Sequence, residues 1–139
     1  MLEEYYKYKI DYKDFIIMIK SGNFYEILDK DAVILNQILG YILSKISDTV
    51  KCGFPLSSLN KVITKLNEEQ INYIVIDNKE IVNSEKFNNN TYKTFKMDIN
   101  TIKYNFIRIN KITKYLNENA YSNINELLEE IEKLINGRR

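Results

Sequence analysis

The side chains available for chemistry in this chain are carboxylates, lysines and tyrosines, because the sequence has no histidine and a single cysteine, Cys52. Histidine is the usual general base near neutral pH, so its absence argues against most acid–base mechanisms. One thiol without histidine cannot supply a zinc or haem ligand set, and the acidic residues are not spaced to bind magnesium. The sequence therefore predicts a protein that is not an enzyme and carries no metal or cofactor, with a nuclease as the weaker alternative. Cys52 is expected to be a small buried side chain rather than a reactive thiol.

Basic and aromatic residues are interleaved in the C-terminal half, between Lys86 and Lys114. Rings that stack on bases and lysines that follow phosphates could together form a nucleic-acid-binding surface. The same alternation is more typical of a sheet with one solvated and one buried face. Glutamates crowd the segment from Glu118 to Glu132, so this half is electrically polarised, whereas the net charge of +1 gives no global basic field.

The length of 139 residues and the hydrophobic content of 45% are sufficient for one ordinary core, which predicts a single domain over residues 1–139. No apolar run is long enough to cross a bilayer, and no charged start precedes a short apolar stretch. The sequence therefore predicts a cytoplasmic protein.

Strand-like and helix-like patterns alternate along the first 78 residues. We expect a short helix over 3–14 and then a hairpin of strands at 15–19 and 23–28 across Ser21-Gly22. Asp29 is the expected N-cap of a helix over 30–39, and Gly40 is its left-handed C-cap. Further along the chain we expect a strand at 41–46, a polar loop at 47–51, a loop at Gly53-Phe54-Pro55, a helix N-capped by Ser57, and a strand at 73–76. This alternation predicts an α/β fold with a single mixed β-sheet flanked by helices.

The pattern weakens after Asp77. The remaining expected elements are strands at 79–83, 92–97 and 102–109, a loop at 88–90, a short helix capped by Asn110 that ends near Glu118, and a final helix from Ser122 or Asn123 to just before Gly137. We therefore divide the chain into a core over 1–78, additional strands over 79–110 and C-terminal helices over 111–137. The apolar stripe of the final helix is expected to face the core, with a partner or dimer seam as the alternative.

Several short motifs follow one another in order between about residues 6 and 77. They are Lys9, Tyr12 and Asp14, then Gly22-Asn23-Phe24-Tyr25-Glu26, Asp31-Ala32, Ile38-Leu39-Gly40, Leu43-Ser44-Lys45, Gly53-Phe54-Pro55, Lys65-Leu66, and the strand at 73–76. Their order and spacing resemble the N-terminal mismatch-recognition domain, domain I, of the DNA-repair ATPase MutS. Several motifs in the right order are more specific than any one of them. The resemblance implies a domain I fold for the core, whereas the ATPase phosphate loop, Gly-x-x-x-x-Gly-Lys-Ser/Thr, does not occur in this sequence.

The resemblance also implies an aromatic wedge. In this family a phenylalanine enters the minor groove and stacks on a mispaired or unpaired base, and a glutamate two residues later hydrogen-bonds the same base. Phe24 and Glu26 occupy the matching positions, and Asn23, Ser44 and Lys45 complete the expected nucleic-acid-binding set. The implied partner is double-stranded DNA with a mismatch or distortion. A protein partner that supplies a clamp or ATPase function, and a homodimer, are further expectations.

Three departures from the family pattern weaken the expected phosphate contacts. Asn23 stands in place of an aspartate, Ile46 in place of a frequent arginine or lysine, and Leu56-Ser57 in place of a tyrosine–histidine pair. The alternative is a protein–protein interaction module on the same fold, with Phe24 packed in the core and Glu26 solvated. The exposure of the Phe24 ring distinguishes the two interpretations.

Overall fold

A mixed β-sheet organises the N-terminal part of the chain in the computed structural model, which describes residues 2–89 and 91–138. Within these residues the sheet has six strands in the order β3-β4-β2-β1-β5-β6. Their bounds are β1 Ile16–Ser21, β2 Phe24–Leu28, β3 Ser44–Ile46, β4 Thr49–Pro55, β5 Tyr73–Asp77 and β6 Glu80–Glu85. Strands β1 and β5 are parallel, and every other neighbouring pair is antiparallel. The predicted α/β fold with a single mixed sheet is confirmed.

The central strands explain why the apolar runs in the sequence are continuous. Ile16 to Ile19 of β1 and Tyr73 to Ile76 of β5 are all buried. A strand covered on both faces must be apolar at every position, whereas a half-exposed strand alternates. The predicted strands at 15–19 and 73–76 are confirmed, although β1 begins one residue later and ends two residues later than expected and β5 ends one residue later.

Helices cover the two faces of the sheet and define two cores. Helix α1 (Leu2–Asp11) places Tyr5 in one core, with Ile17, Ile19 and Leu28 among its members. Helices α2 (Asp29–Leu39) and α3 (Leu59–Glu69) contribute to the other core, which also contains Tyr25 and Ile27. We call these the α1 face and the α2/α3 face. Because side chains alternate along a strand, consecutive residues of β2 belong to opposite faces.

The ends of α2 show one correct and one wrong capping prediction. Gly40 adopts a left-handed conformation with φ 76°, and its N–H donates to Asn36 O, as expected for a C-cap. Asp29 is not the N-cap, because the helix begins at Asp29 itself and the capping position is Leu28, without a side-chain hydrogen bond. The Asp29 carboxylate instead accepts hydrogen bonds from Tyr6 and Thr49. The carboxylate that was expected to cap the helix therefore forms tertiary hydrogen bonds instead.

The segment from 41 to 58 differs from the prediction. The strand expected at 41–46 is restricted to β3, and the loops expected at 47–51 and Gly53-Phe54-Pro55 are largely strand β4. Strand β4 forms because it pairs along its length with β2, from Phe24↔Pro55 to Leu28↔Lys51. The expected N-cap Ser57 lies inside a short 3₁₀ helix, Leu56–Ser58, and α3 begins at Leu59 without a side-chain cap. The first helix ends at Asp11 rather than near residue 14.

Two of the additional strands expected after residue 79 are wrong. The strand at 79–83 is confirmed as β6, but residues Thr91–Thr94 form a 3₁₀ helix and the segment 102–109 lies within α4 (Ile99–Glu118), which also includes the short helix expected from Asn110. Isoleucine and aromatic residues favour strands locally, yet Ile102, Phe106 and Ile109 also have helical spacing. The final helix is α5, Asn125–Asn136, which begins two residues after Asn123 and ends before Gly137 as expected. Of the loop expected at 88–90, Asn90 lies outside the described residues.

The chain separates into two compact units, the first described over residues 2–89 and 91–103 and the second over 104–138. The first unit contains the sheet, α1 to α3 and the start of α4. The second contains the rest of α4 together with α5. The single domain over 1–139 with divisions at 78 and 110 stays a prediction. Within the described residues, no helix combines the length and the apolar character needed to cross a membrane.

Candidate nucleic-acid interface

A tight hairpin places Phe24 at the first position of β2, an inner strand that pairs with β1 and β4. Ser21 pairs with Phe24, so Gly22 and Asn23 alone form the loop between β1 and β2. Gly22 has φ 61°, which glycine adopts without steric cost at the first position of a two-residue turn. The Asn23 carbonyl accepts a hydrogen bond from the backbone N–H of Leu56 at 3.2 Å. The loop, and with it the start of β2, is therefore fixed from both strands and from the segment after β4.

Phe24 and Glu26 lie on the α1 face of the sheet, where the cover of α1 runs out. They share that face with Leu28, which is fully buried in the α1-face core. The exposed fraction of the residues increases along β2 toward the hairpin. Leu28 is fully buried, Glu26 is half-buried and Phe24 is 51% exposed. The core therefore ends before the hairpin, and the Phe24 ring projects into solvent rather than into the protein.

Strand β4 continues this uncovered region. Pro55 pairs with Phe24, Gly53 with Glu26 and Lys51 with Leu28, so all three face the same side of the sheet. We call Phe24, Glu26, Lys51, Gly53 and Pro55 the open strip. A shallow pocket of about 200 Å³ lies in it, lined by Phe24, Glu26, Lys51, Cys52 and Gly53. The space opposite Glu26 is unfilled because Gly53, its partner on β4, has no side chain.

Lys51 forms an ion pair with Glu26 inside this pocket. Its Nζ donates to Glu26 Oε1 at 3.3 Å, and the two side chains are 30% and 22% exposed. The carboxylate predicted to contact a base is thus held beside a cation. Sequence reasoning missed Lys51 because the segment 47–51 was expected to be a loop, and only the β2–β4 register brings Lys51 next to Glu26.

The other residues expected to contact nucleic acid do not all lie on the same side of the sheet. Ser44 pairs with Lys51 and therefore faces the same side as the open strip. Lys45 pairs with Val50 and faces the α2/α3 side instead. Asn23 is exposed in the hairpin loop next to Phe24. The structure brings Phe24, Glu26 and Ser44 to one side of the sheet, leaves Asn23 in the adjacent loop and places Lys45 on the other side.

Asp31 is the centre of a buried polar network that also explains part of the sequence pattern. Its side chain is fully buried and accepts hydrogen bonds from Tyr5 Oη at 2.9 Å, from Tyr92 Oη at 2.6 Å and from the backbone N–H of Ile17 at 3.0 Å. Lys9 Nζ lies 2.9 Å from both carboxylate oxygens. This network connects α1, β1, α2 and the 3₁₀ helix at Thr91–Thr94, so Lys9 and Asp31 are structural residues.

The network also changes the ionisation of its tyrosines. Burial, and next the negative charge of Asp31, raise the pKa of Tyr5 and the pKa of Tyr92 well above the usual value for tyrosine. Both phenols therefore stay protonated and act as donors to the carboxylate. The Lys9 ammonium lies 4.7 Å from the centre of the Tyr92 ring, which adds a cation–π contact to the salt bridge.

Cys52 has the expected structural character. It is buried, and its thiol donates to Ala32 O at 3.7 Å on the α2/α3 side of β4. Burial, together with the charge of Asp31, raises the pKa of the Cys52 thiol to about 12. A thiol that stays protonated is a poor nucleophile. Over residues 2–89 and 91–138, histidine, cysteine and acidic side chains form no group of three or more that could hold a metal ion.

The fold and the open strip define a mixed α/β domain whose first hairpin carries a half-exposed aromatic residue next to a carboxylate. A model of the MutS domain I family matches residues 1–108, and the chain belongs to that family. It is 34% identical over 80 residues to the DNA mismatch repair protein MutS of Thermotoga neapolitana, over 58% of this chain and 10% of the relative. With the protein of the same name from Rickettsia rickettsii it shares 30% identity over 98 residues, which is 67% of this chain and 11% of the relative. The chain thus spans about a tenth of the length of these curated relatives. The resemblance expected over residues 6–77 is confirmed, and the match extends to residue 108.

Proposed function

We propose that this chain is a non-catalytic DNA-binding module that recognises mismatched or distorted duplexes, with Phe24 as the wedge and Glu26 as the base contact. The observation that carries the proposal is the half-exposed Phe24 ring, which lies beside Glu26 on an uncovered part of the sheet. Membership of the MutS domain I family and the similarity to DNA mismatch repair proteins support it.

The energetics of the wedge favour distorted sites. Stacking of a base on an aromatic ring contributes about 1–3 kcal/mol, whereas insertion of an apolar wedge costs a few kcal/mol of lost base stacking per step. A mispaired base is already poorly stacked, so the cost is lower there than at a paired step. Phe24 needs no conformational opening for this role, because its ring is exposed before any ligand binds.

The Glu26–Lys51 pair gives the site complementary hydrogen-bonding groups. An ionised carboxylate only accepts hydrogen bonds and an ammonium only donates them. Edges of the bases present donors and acceptors side by side, as in the N6 amino group and N7 of adenine. A base stacked on Phe24 would lie over a pocket that contains both groups. Ser44 adds a polar side chain on the same side of the sheet, and Asn23 is exposed in the adjoining hairpin loop.

Binding is expected to be weak and sensitive to salt. Lys51 is the cation of the open strip and is paired with Glu26, while Lys45 faces the other side of the sheet. Few phosphate contacts are therefore available to the strip, and the expected affinity is in the range of non-specific binding, a Kd of roughly 10⁻⁴ to 10⁻⁶ M.

The direct experiment is a titration of the whole chain into labelled duplexes that are matched, mismatched or carry a single unpaired base. At low salt we expect binding to all three, with a preference for the mismatched and bulged duplexes, and weaker binding as salt rises. Absence of binding to every duplex at low salt would remove the proposal.

A protein-binding module without DNA binding is the second candidate. The observation that favours it is the pairing of Lys51 with Glu26, which leaves the open strip without net positive charge. An exposed aromatic residue next to a neutralised pair also suits a peptide or protein surface. The duplex titration separates the two candidates, since this second function predicts no preference for any duplex.

A further inference from the structure

The helical unit over residues 104–138 leaves its apolar side chains uncovered. None of its described residues is buried. Ile112 on α4 is 56% exposed and Leu134 on α5 is 69% exposed, and Tyr115, Leu127 and Ile135 are exposed as well. A contiguous exposed apolar surface of this kind is typical of an interaction site.

A groove runs between the two helices. It has a volume of about 550 Å³ and is lined by Ile112, Tyr115, Leu116, Leu127 and Ile131, with Lys111 at its edge. Short helices are marginally stable in water, and most of their stability comes from packing of an apolar face. Two helices that leave most of their apolar residues exposed would gain stability from a further layer packed on that surface.

The two helices carry opposite charges. In this unit, α4 has the cations Arg108, Lys111 and Lys114 against the single anion Glu118, whereas α5 has Glu126, Glu129, Glu130 and Glu132 against Lys133. Lys114 pairs with Glu118 on its own helix at 3.8 Å. In the part of the chain that the structure describes, none of the four α5 glutamates forms an ion pair with a basic side chain.

We infer that this surface binds a second copy of the chain, with α4 of one copy against α5 of its partner. A two-fold symmetric interface must be self-complementary, and this pairing brings a basic helix against an acidic helix twice. Contacts between the two α4 helices, or between the two α5 helices, would bring like charges together. The resulting four-helix arrangement buries the groove residues of both copies, as in helix bundles. The match to the MutS domain I family ends at residue 108, before α5, so the inference concerns a region beyond the matched one.

The first test is the oligomeric state of the whole chain by analytical ultracentrifugation over a concentration series. We expect a concentration-dependent dimer, and dimerisation weakened more than about tenfold by Ile112→Glu, since a central apolar contact is replaced by a charge. Asn110→Glu is the matched control, because it adds the same charge to the same helix on the side away from the groove. A wild-type chain that stays monomeric throughout would overturn the inference and assign the surface to another partner. Equal effects of the two variants would also overturn it.

Two variants with reversed charges test the pairing of α4 with α5 while Ile112 is left unchanged. The first variant carries Arg108→Glu and Lys111→Glu on α4, and the second carries Glu130→Lys and Glu132→Lys on α5. Each alone should be monomeric, because it brings like charges together, whereas an equimolar mixture should form a mixed dimer. A mixture that stays monomeric, or variants that dimerise separately as well as the wild type, would contradict the α4–α5 pairing. Far-UV circular dichroism confirms that each variant retains its helices.

Discussion

Lys51 Nζ lies 3.3 Å from Glu26 Oε1, and the pair occupies the floor of the pocket beside the exposed ring of Phe24. A lone carboxylate at this position would repel the phosphates of an approaching duplex. The ammonium offsets that charge. Since both side chains are partly exposed, their coupling in the free protein should be modest, about 0.2–1 kcal/mol.

Lys51→Met is expected to weaken binding to all duplexes by several-fold, because it leaves the Glu26 charge uncompensated. Glu26→Gln in the same chain should restore part of the loss, since it removes that charge and keeps the side-chain shape. Fluorescence anisotropy on the wild type, the two single variants and the double variant measures the coupling. Independent, additive effects of the two substitutions would show that the pair does not act together in binding.

Asp31→Ala is expected to destabilise the fold by about 3–5 kcal/mol, because it removes the charge partner of the Lys9 ammonium and the carboxylate that accepts from two buried phenols. Asp77→Ala is the control: its ion pair with Lys20, at 3.5 Å, lies at the surface and should contribute less than about 1 kcal/mol. Urea denaturation followed by circular dichroism compares the free energies of unfolding. A loss for Asp31→Ala no larger than for Asp77→Ala would contradict the structural role of the network.

Gly53→Ala is expected to reduce both stability and mismatch preference. A Cβ at this position would lie 3.2 Å from the carbonyl oxygen of Tyr25 on the paired strand, which is tighter than ordinary contact, so the strand must shift by a few tenths of an ångström to admit it. The added methyl would also lie on the side of the pocket that faces Glu26. Thermal unfolding and the duplex titration measure the two effects. Unchanged discrimination in a folded Gly53→Ala chain would mean that bases do not enter this pocket.

Stability should fall at alkaline pH through Cys52. The pKa of its thiol is raised from 9.0 to about 12 in the folded chain, so between these values the unfolded chain loses a proton that the folded chain keeps. The contribution of the protonated thiol is complete below about pH 9 and declines as pH rises toward 12, by up to about 1.4 kcal/mol per pH unit. Urea denaturation of the wild type and of Cys52→Ala across this range measures the slope. Identical slopes for the two chains would contradict the prediction.

The sequence was informative where local rules and tertiary structure agree. The hairpin across Gly22 and the end of α2 at Gly40 follow from backbone conformations that glycine adopts easily. The buried strand β1 follows from its continuous apolar run. The local pattern predicted that Phe24 lies in the strand at 23–28, and the resemblance matched it to the wedge position. Its exposure depends on which neighbours cover it, and the local sequence does not indicate that.

Long-range pairing decided the features that the sequence did not indicate. Lys51 joins the site only through the register of β4 on β2, and polar residues in the preceding segment favoured a loop. Asp31 collects donors from residues 5, 9, 17 and 92, which only the fold brings together. In α4, residues 102–109 have apolar positions that fit both a strand and a helix, so local propensity could not separate them.

The proposal that Phe24 is the wedge is tested most directly by the ratio of the Kd values for matched and mismatched duplexes. This ratio is compared between the wild type and Phe24→Ala. Val82→Ala on β6 is the matched control, because Val82 is an apolar strand residue with 57% exposure on an edge strand that lies three positions from β2 in the sheet. We predict that the wild type and Val82→Ala prefer the mismatched duplex, and that Phe24→Ala binds both duplexes equally. A Phe24→Ala chain that is folded and keeps the wild-type ratio would contradict the account.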